Sequence, residues 1–170
     1  MPETQSIKLF RASENDPLAL PDKATYGDQY ALYQMADRLK PKHSLGRLGS
    51  IFAGLTKDEA KQWGDKIWNM EAEVPYKGAN AYDIQKWSRL VEFYLLYASK
   101  NNPETYAKIE QLIKEYWDSQ KSIKEILDEI EENPEAQARY EVLLKPEWVT
   151  KIEEIEENQE IKREFGLSRR

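Results

Sequence analysis

The chain has 170 residues, of which 33% are charged and 40% hydrophobic, with a net charge of −6 and a mean hydropathy of −0.82. At this length five Trp, ten Tyr and four Phe can build a core without a disulfide or a metal, and their number argues against disorder. With no cysteine and a single histidine, the sequence excludes disulfide frameworks, thiolate nucleophiles, Cys-ligated metals and paired-histidine zinc sites.

Residues 1–24 read as an irregular arm. Ile7 and Leu9 alternate with polar neighbours, enough for a short strand or a docking segment, and Ser13-Glu14-Asn15-Asp16-Pro17 reads as a turn. The start of the chain lacks the basic and apolar regions of a signal peptide. No apolar run approaches the ~20 residues that span a bilayer. The expectation is a cytoplasmic protein without membrane contact.

From Thr25 onward the pattern is helical. Tyr30, Tyr33, Ala36 and Leu39 recur at threes and fours and Pro41 ends the run. Leu45, Leu48, Ile51, Phe52 and Leu55 suggest a second short helix. Thr56 and Glu59 have the spacing of a capping box, predicting a helix through Trp63, Ile67 and Met70 to Val74, before Pro75. Ile84, Trp87, Val91 and Leu95 predict a helix over 81–100. Leu90, Phe93, Leu96 and Tyr97 widen its apolar face so far that it reads as the buried centre of a bundle. Asn102-Pro103 opens a further helix with a heptad stripe, running to about Glu132 with a kink or break near Ser119.

Residues 102–114 (NPETYAKIEQLIK) align with 133–145 (NPEAQARYEVLLK), Trp117 with Trp148, and Ile130-Glu131-Glu132-Asn133 with Ile155-Glu156-Glu157-Asn158. Read as duplicated helical hairpins, these segments resemble a short α-solenoid, in which each unit needs a neighbour to cover its apolar face. The expected fold is therefore all-α: a helical bundle over 25–100 continued by an acidic, solenoid-like array over 101–170.

No phosphate-binding glycine loop and no nucleophile–histidine arrangement occurs, so the reading is non-enzymatic and without cofactor. Two surfaces stand out. Arg38, Lys40, Lys42, His43 and Arg47 lie in a stretch free of acids, a cation cluster suited to phosphate, with tyrosines just before it for stacking on bases. Residues 125–160 carry a local charge of −10, and with the aromatics nearby they nominate Trp117, Glu131, Glu132, Tyr140, Trp148, Glu156 and Glu157 as partner contacts. The expected function is protein–protein interaction, as an adaptor, regulator or complex subunit meeting a basic partner through the array. The alternatives are nucleic-acid binding through the turn at 38–47, or inhibition by mimicry of nucleic-acid charge.

Overall fold

A computed structural model describes residues 4–75, 81–135 and 139–155. In chain order these form β1 (Thr4–Ala12), α1 (Lys23–Tyr26), α2 (Tyr30–Arg38), β2 (Ile51–Ala53), α3 (Lys57–Lys61), β3 (Ile67–Pro75) and β4 (Ala81–Asp83). There follow α4 (Ile84–Tyr97), α5 (Pro103–Asp118), α6 (Ile123–Glu132), β5 (Tyr140–Leu144) and β6 (Val149–Ile155). The fold is mixed α/β, which corrects the all-α expectation and the solenoid with it.

β1, β3 and β6 make one antiparallel sheet in the order β1-β3-β6, and β2, β5 and β4 make a second in the order β2-β5-β4. Phe10 and Gly54 exchange backbone bonds of 2.9 and 2.7 Å, stitching the edge of the first sheet to the edge of the second.

The second sheet has both faces covered. Ile51, Ala53, Val142 and Leu144 pack with Leu9, Met70 and Val74 of the first sheet and with Ile123 and Ile126 of α6. On the other face Tyr82 and Leu143 meet Leu32 and Ala36 of α2, Trp87 and Leu90 of α4, and Ile109, Ile113 and Tyr116 of α5. A central strand with both faces buried loses the polar alternation that marks a strand. All five residues of β5 are buried, which is why Tyr140–Leu144 passed for helix.

β3 misleads in another way. Ile67, Met70 and Val74 fit the spacing of a helix, but Met70, Ala72 and Val74 also alternate with Glu71 and Glu73, and it is the alternation that the fold uses. The N-terminal segment is likewise no irregular arm: Ile7 and Leu9 are the inward face of a nine-residue strand.

The duplication does not survive as structure. Asn102 caps α5, its side chain accepting from Thr105 N at 2.8 Å, whereas Asn133 closes α6, its N–H donating to Glu129 O at 2.8 Å. Trp117 is buried and donates to Ala36 O at 2.9 Å, while Trp148 sits half-buried in a 3-10 turn ahead of β6. The third partial copy lies outside the described residues.

Two helical expectations hold in part and a third fails. Over 81–100 the helix is α4, with Trp87 and Leu90 buried, but Leu95 is 53% exposed because only one side of α4 has neighbours. Over 103–132 the chain breaks into α5 and α6, and Ser122 and Glu125 form the capping box of the second. The segment expected as helix at 44–55 is a loop leading into β2.

Candidate small-molecule cleft

β1 delivers Arg11 at the seam between the sheets. Its Nε donates to Pro17 O at 2.9 Å and one Nη to Phe52 O at 2.8 Å, which fixes the guanidinium plane. The other Nη has no protein partner among the described residues. Burial lowers the pKa of Arg11, yet an arginine stays charged at any physiological pH.

Thr56 caps α3, accepting from Glu59 N at 3.2 Å. Helix α3 is short, and its job is to aim Glu59. Rather than lying on the surface, the Glu59 carboxylate turns inward over Gly54 and accepts from Trp63 Nε1 at 3.3 Å. A Cβ at position 54 would overlap that carboxylate, so the glycine makes room for it. Glu59 is only 2% exposed. Burial raises its pKa, the Trp63 N–H opposes the rise, the negative charge of Glu141 adds to it, and the result is about 7.

Arg47, from the loop before β2, is 2% exposed and pairs with Glu141 of β5. The same Nη1 donates to Tyr116 OH at 2.7 Å, and Tyr116 OH donates to Glu141 at 2.6 Å. The guanidinium carbon lies 3.6 Å from the Trp87 ring centre and 4.4 Å from that of Phe52. Burial alone would lower the pKa of Arg47, but Glu141 with Tyr116 and Tyr33 more than offsets it, so Arg47 stays charged. The pKa of Tyr116 is pushed well up, chiefly by burial, so its hydroxyl keeps its proton. A buried pair of this kind contributes little net stability but is costly to break on one side.

These groups border one cleft of about 590 Å³ between the joined sheet edges and α4. Its apolar walls come chiefly from Phe10, Phe52, Trp63, Ile84, Val91 and Leu95, and its polar groups include Arg11, Arg47, Glu59, Ser88, Glu92 and Glu141. Apolar walls with a few converging polar groups, one of them with a strongly displaced pKa, are the usual build of a small-molecule site.

Of the cations read from sequence as a nucleic-acid surface, only Arg47 reaches this cleft. Lys42 and His43 are exposed, Arg38 borders a separate groove beside Met35 and Tyr106, and Lys40 donates to Ser44 O at 3.0 Å. The partner residues read from the C-terminal segment are scattered likewise. Trp117 and Tyr140 are core, Glu131 and Glu132 are exposed at the end of α6, Trp148 is half-buried, and Glu156 and Glu157 lie outside the described residues.

Sequence reasoning did not find Arg11, Glu59 or Glu141. One signal was available for Glu59: a glycine five residues before it, in a segment whose apolar residues also fit a strand. Among the described residues no group of three or more His, Asp or Glu side chains converges as a metal site, and no helix is long and apolar enough to cross a membrane. Comparison with protein-family models, with curated proteins and with solved structures finds no match for the chain.

Proposed function

We propose that the protein is an enzyme that binds a small anionic molecule in this cleft and acts on it by general acid–base catalysis, with Glu59 moving the proton. The observation that carries the reading is a carboxylate shielded from solvent yet bordering the cleft, close enough to a second carboxylate, Glu141, to feel its charge. Two carboxylates in unlike surroundings divide acid and base roles between them. Glu141 is ion-paired with Arg47; Glu59, with no cation hydrogen-bonded to it among the described residues, is the one poised to exchange a proton near neutrality. Arg11 supplies the anion contact, because its plane is already fixed by two carbonyls and one nitrogen remains to donate.

The test is a thermal-shift screen of small carboxylates, phosphates and nucleotides, followed by a turnover assay on whatever binds. Wild type should bind and convert the compound, with a pH–rate limb near 7. Glu59→Gln should bind without converting it, and Arg11→Gln should lose binding. No stabilising compound, or full turnover by Glu59→Gln, would remove this reading.

A further inference from the structure

Trp63 is oddly placed. Its side chain is 58% exposed at the mouth of the cleft, yet its N–H is spent on a carboxylate that is 2% exposed. An indole this open adds little to the core, and water would satisfy its N–H anywhere on the surface. Leu95, 53% exposed, and half-buried Val91 border the same cleft from α4. Large apolar groups are thus left open around a floor that holds Arg11 and Glu59.

We propose that Trp63 is the platform on which a flat aromatic ring of the ligand stacks, and at the same time the positioning residue that holds the Glu59 carboxylate at the edge of that ring. The inference rests on reading the cleft as a small-molecule site and adds the class of ligand, an aromatic anion. The ring lies against the indole and the aliphatic side chains of α4, and the anionic group answers to Arg11. Stacking removes water from the exposed Trp63 indole, so binding itself tightens the indole N–H···carboxylate bond. The charged groups that share the cleft with Glu59 are Arg11 from β1, Arg47 from the loop before β2, Glu92 from α4 and Glu141 from β5. The bond to Trp63 is the one direct side-chain hydrogen bond recorded for the Glu59 carboxylate among the described residues, and it favours the ionised form.

Benzoate and cyclohexanecarboxylate make a clean pair of probes, sharing a charge and differing in the flatness of the ring. Their affinities would be measured by NMR titration against the full chain and its Trp63→Ala and Trp63→Phe variants, and the Glu59 titration would be followed by carboxyl ¹³C NMR. Because Trp63 is exposed, both variants should fold, which circular dichroism checks. Benzoate should bind more tightly than cyclohexanecarboxylate. Trp63→Ala should weaken benzoate about fivefold or more and erase the preference, as loss of one stacked ring does elsewhere. Trp63→Phe should keep benzoate within about twofold, since a ring remains to stack on. It should also move the Glu59 midpoint upward, because the donor that favours the carboxylate is gone. Equal binding of both acids with no effect of Trp63→Ala, or an unmoved midpoint in Trp63→Phe, would overturn the inference while leaving the small-molecule reading intact. If neither acid binds in the cleft, both fall.

Discussion

Glu59 and Gly54 work as a unit in which the absence of one side chain lets another turn inward. A carboxyl group whose pKa rises from its ordinary 4.5 to about 7 on folding keeps its proton in the native state over a range where the unfolded chain has lost it. Its contribution to stability is therefore complete below about pH 4.5 and is lost as pH climbs to about 7. Replacing Glu59 by Gln removes that dependence. Thermal denaturation from pH 4 to 8.5 should show the variant gaining on wild type as pH rises, with the gain levelling off above about 7. A difference that stays constant with pH would mean that Glu59 titrates normally. Beyond the glycine five residues before it, little of this was legible in the residue string, because Glu59 stands at the third position of a helix opening, where a glutamate normally reaches back to the cap. Only the packing of its carboxylate against Gly54, just past β2, shows that this one turns the other way.

Among the elements, α4 shows how far an apolar pattern can be trusted. Its sequence is apolar on nearly every side, yet the structure buries Ile84, Trp87 and Leu90 and leaves Leu95 and Leu96 in the open. Replacing Trp87, which is 5% exposed and stacked under Arg47, by Ala should cost roughly 3–5 kcal/mol in urea denaturation. Leu95→Ala should stay within about 0.5 kcal/mol, and the loss it does cause should appear in ligand binding, because Leu95 borders the cleft. Equal costs for the two would mean that α4 is buried all round after all. Two helix starts were the readable part: Thr56 and Asn102 each cap a helix through an oxygen that accepts a backbone N–H three residues on, an interaction that needs no distant partner, whereas the Ser122 cap of α6 was not read from the sequence.

At the scale of the molecule, β5 ties the two cores together, since Val142 and Leu144 pack on the first sheet and Leu143 on the helices. A chain ending at Glu135 keeps every described α-helix and loses both β5 and β6, the centre of one sheet and an edge of the other. It should show no cooperative unfolding transition by circular dichroism, whereas a helical bundle with a separate C-terminal array would tolerate the cut. What the sequence determined by itself was local: the caps at Thr56 and Asn102, the helices at 30–38, 84–97 and 103–118, and the chemistries that a cysteine-free chain with one histidine excludes. What only the tertiary structure decided was which apolar segments pair as strands and which polar side chains meet. Ile67–Pro75 and Tyr140–Leu144 carry apolar residues that fit either period, and hydrogen bonding to partners between 55 and 93 residues away selects the strand. Arg11, Arg47, Glu59 and Glu141 are spread over 131 positions of sequence and share a cleft because two sheet edges join at Phe10 and Gly54, a contact no local spacing records.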